Sequence, residues 1–126
     1  MAAELIAKVY SAGFLVIGLS HLARPRLWAD FFAEVLRSRH AAFLIGTLTL
    51  PAGLLIVVGH NVWVPGPRTL ITLAGWGMTL KATAYLLFPR SADRLVATGA
   101  TPRSYAIGGA VMSAIGALLV FDVFLS

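Results

Sequence analysis

Few side chains in this sequence could do chemistry, and Lys81 is the first of them. It lies inside the apolar run TLITLAGWGMTLKATAYLLFP. A lysine at the centre of such a run costs about 2.5–3.5 kcal/mol on membrane-insertion scales, and ionisable groups kept there are functional by default. Tyr85 stands one helical turn further, over the same face. His21 closes an earlier apolar run at the same expected depth. Lys81, His21 and Tyr85 are therefore expected to line a polar pocket suited to an anion or a quinone headgroup. A structural reading competes with this one. Lys81 is roughly 10 Å of helix rise from Phe88, and its four-carbon stem can snorkel most of that distance to water.

The other titratable residues offer less. His40 begins the next apolar run near the depth of His21, and two histidines on different helices are the minimum for a bis-histidine haem. His60 sits in a turn on the opposite side, where it reads as a solvated or capping residue. Asp122 lies near that same surface, with Arg68, Lys8 or His60 as partners, a cluster suited to fixing helix ends. Glu4 and Lys8, at i and i+4, can also pair with each other. The chain has no cysteine, which removes thiolate metal sites, iron–sulfur clusters and cysteine nucleophiles. It has no paired carboxylates, no nucleophile beside a base, no phosphate loop and no dinucleotide fingerprint. The expectation is a protein that is not an enzyme and holds no metal and no cofactor.

The elements that must position these residues are membrane spans. Of 126 residues, 59% are hydrophobic and only 12% charged, against about 25% charged in soluble domains. So small a globule could not hide that much apolar surface. The chain reads as a single integral membrane domain, 1–126, all-α, with spans at about 5–23, 41–59, 69–88 and 104–125, each long enough for a bilayer core of ~30 Å. The first span follows Glu4 rather than the basic stretch of a signal peptide, so it is expected to be retained. Between the first two spans, about 26–38, Leu27, Trp28, Phe31, Phe32, Val35 and Leu36 recur at helical spacing. That pattern predicts a short amphipathic helix lying in the membrane interface, with Trp28 at headgroup level. It is either a connector or a surface that senses lipid or docks a partner.

The first and third links carry Arg24, Arg26, Arg37, Arg39, Arg90, Arg94 and Arg103, whereas the other side has only Lys8 and Arg68. The positive-inside rule places both links in the cytoplasm and both termini outside. The net charge of +5 is accounted for by this asymmetry, so nucleic acid is not an expected partner. Small residues form stripes that allow close helix approach: Ala42, Gly46, Thr49 and Gly53 on the second span, and Gly109, Ser113 and Ala117 on the last. Pro51 frees the carbonyl of Thr47 and is expected to kink the second span.

Sliding the sequence on itself by 64 positions aligns Gly13 with Gly77, His21 with Tyr85, Leu22 with Leu86, Pro25-Arg26 with Pro89-Arg90, Ala33 with Ala97 and Ala42 with Ala106. The shared unit is span, Leu-x-x-Pro-Arg, interfacial segment, span. Two spans per unit make the copies parallel, so two parallel-repeat helical hairpins are expected. Parallel repeats occur in carriers.

The stretch from His60 to Pro89 resembles a set of small four-span bacterial inner-membrane proteins. In these a His-Asn-x-Trp turn precedes a Thr-x-x-Gly-Trp span that carries Leu-Lys-Gly and ends in Leu-Phe-Pro. Here the elements are His60, Asn61 and Trp63, then Thr72, Gly75 and Trp76, then Leu80 and Lys81, then Leu87, Phe88 and Pro89, with Ala82 in place of the glycine. The resemblance implies a bacterial inner-membrane address and four spans, and it carries no activity.

The function expected first is a non-catalytic accessory or scaffold subunit of a larger membrane complex, with the lipid bilayer and a membrane-protein partner or a second copy as its contacts. The alternative is a small anion or polar-solute carrier using Lys81, with His21 and Tyr85 shaping the site and Pro51 as hinge. A further alternative is a quinone- or haem-holding membrane anchor.

Overall fold

A computed structural model describes residues 2–37, 40–90, 94 and 101–125. Every regular element among them is helical: α1 (Ala2–Ala23), α2 (Pro25–Leu36), α3 (Ala41–Gly59), α4 (Arg68–Leu87) and α5 (Pro102–Val120), which runs on as a π-helical turn, Phe121–Leu125. Four of them, α1, α3, α4 and α5 with its π-helical end, are long and apolar enough to cross a membrane. They match the expected spans to within a few residues. The short helix occupies 25–36 rather than 26–38; Ser38 and Arg39 lie outside the described residues, as does Ala97 of the alignment.

Proline sets the ends of α1 and α4 in the same way. A residue before proline is pushed out of the α region by the ring's Cδ. Arg24, before Pro25, has φ −131° and ψ 54°; Phe88, before Pro89, has φ −130° and ψ 63°. Each still donates its N–H four residues back, to Ser20 at 2.8 Å and to Ala84 at 2.7 Å. The chain thus turns a corner at both places without losing a backbone bond. Pro51 lies within α3, which continues through it to Gly59.

Glycine decides which helices touch. Two pairs pack along their length, α1 with α5 and α3 with α4, while contact between the pairs is slight. In the first pair a Cβ on Gly116 would stand 2.6 Å from Leu15 Cα, one on Gly18 would stand 2.6 Å from the Ser113 nitrogen, and Gly109 lies against the backbone of His21 and Leu22. In the second, Gly53 meets Thr79 and Gly46 meets Ala82, Tyr85 and Leu86. Such approaches replace side-chain bulk with backbone van der Waals contact, the main attraction between helices in lipid. The tight pairs are therefore the first span with the last and the second with the third. The hairpin of the first two spans that the repeat suggests is not itself a packed pair.

Of the residues expected on the packing stripes, Gly46, Gly53, Gly109 and Ser113 are buried and Ala117 is exposed. The seam on α5 runs 109, 113, 116, because a helix of 3.6 residues per turn drifts off a strict four-residue spacing. Gly116 holds the place assigned to Ala117. The four long helices share one core, Ile6, Ala7, Ile56, Ile71, Leu119 and Val123, at the end where the α3–α4 turn lies. Among the described residues the opposite, arginine-rich end has the small cluster of Ala42 and Tyr85 with Ile45.

A candidate site in the polar and aromatic residues at the two helix ends

At the arginine-rich end, Lys81 extends back over Tyr85, its Nζ 5.4 Å from the ring centroid, within the range of a cation–π contact. Tyr85 is buried against Ala42. Lys81 itself is exposed, and so are Leu73, Trp76, Gly77, Leu80, Ala84 and Leu87 on the same flank of α4. No described residue covers that flank near Gly77, where an added Cβ would meet no atom within 4 Å. No carboxylate among the described residues forms an ion pair with Lys81.

His21 is held elsewhere. Its Nδ1 lies 2.8 Å from the Ile17 carbonyl; a carbonyl only accepts, so Nδ1 carries the proton. The ring stacks on Trp28 with centroids 3.9 Å apart and planes 17° from parallel. Trp28 donates its indole N–H to Ser20 Oγ at 2.9 Å, a bond that spans the corner at Arg24 and fixes α2 against the end of α1. Tyr105 of α5 stands 5.6 Å from His21, and Phe32 of α2 stacks on Tyr105 at 5.7 Å and 5°.

The expected pocket of Lys81, His21 and Tyr85 is thus divided. Lys81 and Tyr85 meet, while His21 is stacked away on Trp28 with Tyr105 beside it. Sequence reading singled out neither Tyr105 nor Phe32 for this place. Tyr105 carried a usable signal, since it opens the last span at the depth of His21 and Tyr85. Trp28, expected as a headgroup-level anchor, is half-buried by these contacts.

No described protein family, curated protein or solved structure matches this chain.

The opposite end is built for holding. His60 is only 1% exposed, which corrects the reading of it as solvated. The turn folds back onto α4, and Thr72 Oγ1 donates to the His60 carbonyl at 2.9 Å while accepting from Val62 N–H at 3.1 Å. His60 Nδ1 lies 3.2 Å from the same oxygen. With the hydroxyl's single proton given to the carbonyl, Nδ1 must donate its own. Asn61 Oδ1 accepts the indole N–H of Trp63 at 2.7 Å and of Trp76 at 3.3 Å. The His-Asn-x-Trp, Thr-x-x-Gly-Trp pattern is therefore one hydrogen-bonded lock on the α3–α4 turn.

Arg68 joins three elements at this end. It grips Glu4 with two N–H groups, at 2.6 and 3.3 Å, and reaches Asp122 at 3.3 Å through Nε. Of the three partners expected for Asp122, Arg68, Lys8 and His60, it is Arg68 that pairs with it, and Arg68 rather than Lys8 takes the Glu4 carboxylate. Among the described residues no three His, Asp or Glu side chains gather into a metal-sized cluster.

Proposed function

We propose that this protein is a non-catalytic accessory subunit of the bacterial inner membrane, and that the uncovered flank of α4 is where it meets a larger membrane partner. The observation that carries the reading is Lys81, a cation inside an apolar helix, exposed on that flank with its ammonium over a tyrosine ring and in no ion pair among the described residues. An intramembrane charge is stable when it faces an opposite charge or water. A carboxylate on a partner helix answers that need, and the open space at Gly77, one turn away, allows such a helix to come close. Elsewhere the polar groups are spent on structure: Arg68, His60, Thr72, Asn61 and Trp28 all hold one helix to another.

The finer architecture belongs to the same proposal. The arginine-rich links face the cytoplasm and both termini lie outside, by the positive-inside rule. Helix α2 lies in the cytoplasmic interface, with exposed Arg26, Asp30 and Glu34 on one side and the half-buried Trp28, Phe32 and Val35 on the other. The chain is a parallel duplication, α1–α3 and α4–α5. Support comes from the matched corners at Arg24 and Phe88 and from the seams: Gly109 meets His21 and Leu22, while Gly46 meets Tyr85 and Leu86. Keeping the odd spans at an offset of 64 but shifting the even spans to 63, in place of the 64 that pairs Ala42 with Ala106, aligns Gly46 with Gly109, Gly53 with Gly116 and Ile56 with Leu119.

The test is purification from the native membrane in gentle detergent, followed by intact-complex mass. The accessory reading expects a stoichiometric larger partner that is lost with Lys81→Met while the variant remains folded. A protein that arrives alone and colourless refutes it. One observation favours a second reading, a small anion carrier. The core shared by all four helices lies at the turn end, so the two pairs are free to part at the arginine-rich end beside Lys81 and Tyr85. That reading expects anion uptake into vesicles, abolished by Lys81→Met.

A further inference from the structure

The two pairs of helices are not joined alike on their two sides. Between α1 and α3 the gap is closed by Tyr10, whose ring packs on the shared core and whose hydroxyl donates to the Ala52 carbonyl at 2.6 Å. The proposed duplication puts Ala74 at the place of Tyr10, Ile115 at that of Ala52 and Gly108 at that of Ile45. A phenol ring and a branched side chain are thus missing from the matching gap between α4 and α5. These two helices scarcely meet. A cleft of about 420 Å³ lies there, with Phe14 of α1, Leu70 and Ala74 of α4, and Gly108, Met112 and Ile115 of α5 along its walls.

The chemistry of the cleft limits what can fill it. Its surface is almost wholly apolar, so water finds no partners in it and a polar ligand finds no answering group. Left empty, it forfeits dispersion contacts along its walls. From Gly108 to Ile115 it follows α5 for about 10 Å of helix rise, inside a stretch apolar enough to cross a membrane. Gly108 and Val111 are exposed, so the cleft opens sideways to the solvent of the spans, which is lipid. Helices in lipid pack over small residues, whereas Phe14, Leu70, Met112 and Ile115 are bulky, and methionine adapts to an irregular neighbour.

We infer that this cleft holds one hydrocarbon chain of a bilayer phospholipid, whose headgroup stays outside it and is not selected. The chain takes the place that Tyr10 fills on the other side, and it ties α4 to the α1–α5 pair midway along the spans. The inference rests on the proposed duplication and is independent of what meets Lys81.

The test is native mass spectrometry of the full chain in a bile-salt-type detergent, which has no straight alkyl chain to compete. The micelles are doped with phosphatidylcholine or phosphatidylglycerol of the same acyl chains. The expected result is one phospholipid retained per chain, of either headgroup, and its loss from Ala74→Tyr/Gly108→Ile, which fills the cleft from within. Ala74→Leu, a gentler filling, is expected to reduce retention in the same direction. An unaltered protein that retains no lipid overturns the inference, as does one that retains only one of the two headgroups or a second copy in place of lipid. Undiminished retention by the filled variants overturns it too. The melting temperature of the double variant tests the duplication separately. A rise without any lipid in the unaltered protein leaves the duplication standing and the chain site refuted; a fall, with lipid bound and then lost, does the reverse.

Discussion

Arg68 holds the Glu4 carboxylate from a position 64 residues further along the chain, the same offset that relates the odd spans. Under the proposed duplication these two residues are equivalents of each other, and equivalents touch only near the axis that exchanges the copies. The start of α1 and the start of α4 therefore meet at that axis, and Asp122 closes the group from the end of α5. The bridge is partly exposed, so its value lies in joining three elements rather than in the strength of a single pair. Arg68→Gln is expected to lower the melting temperature in detergent. Arg68→Lys is expected to restore only part of the loss, because an ammonium cannot reproduce the two-pronged grip on Glu4 together with the Nε bond to Asp122. Full rescue by lysine would reduce the bridge to simple charge.

The seam of α1 on α5 makes a sharper demand. At Gly109 an added methyl would run into backbone atoms of His21 and Leu22, which cannot rotate aside as a side-chain tip can. Gly109→Ala is expected to cost about 1–3 kcal/mol, the usual range for overpacking. Gly77→Ala faces open space and is expected to leave stability unchanged or to raise it by the ~0.5–1 kcal/mol that alanine gains over glycine within a helix. Chemical unfolding of both variants in the same detergent decides the matter. Equal effects would mean that the seam is looser than the distances imply.

Thr72 serves three groups at once: the His60 carbonyl, the His60 imidazole and the Val62 amide. Thr72→Val keeps the shape and removes every one of these bonds. The expected loss is about 1–3 kcal/mol for each buried group left unpartnered. Thr72→Ser keeps the hydroxyl and is expected to stay close to the parent. Thermal unfolding followed by tryptophan emission reports this directly, since Trp63 and Trp76 share Asn61 on the same turn.

The sequence made the four spans legible because each is an uninterrupted apolar run bounded by proline, arginine or a polar turn. The corners at Arg24 and Phe88 were legible for a related reason, since proline acts on its immediate neighbour. What escaped was lateral. Nothing along α1 says that its partner is α5 rather than α3, because small residues occur on every span and helices in lipid lack a polar face to orient them. His60 caps α3, as one of its two expected roles had it, but it is buried rather than solvated because Thr72, twelve residues on, folds back over the turn. Tyr105 was missed because its role comes from α2 bringing Phe32 onto it and from α1 bringing His21 beside it.

Lys81 is where the functional readings divide, and its exposure sharpens the division. Lys81→Met replaces a buried-depth cation with an apolar chain of similar length, so insertion into the membrane is expected to improve, by at most about 2.5–3.5 kcal/mol for a residue at mid-span. A glycosylation-tag insertion assay on the α4 segment measures that gain. In a carrier the same substitution abolishes anion uptake, and Lys81→Arg preserves part of it because guanidinium also binds anions. In an accessory subunit the substitution releases the partner. A charge-swapped pair, Lys81→Glu with lysine placed at the partner's carboxylate, is then expected to bring the complex back. Rescue by that exchange requires the two groups to face each other within the membrane, an outcome that a lysine merely reaching for the headgroups cannot produce.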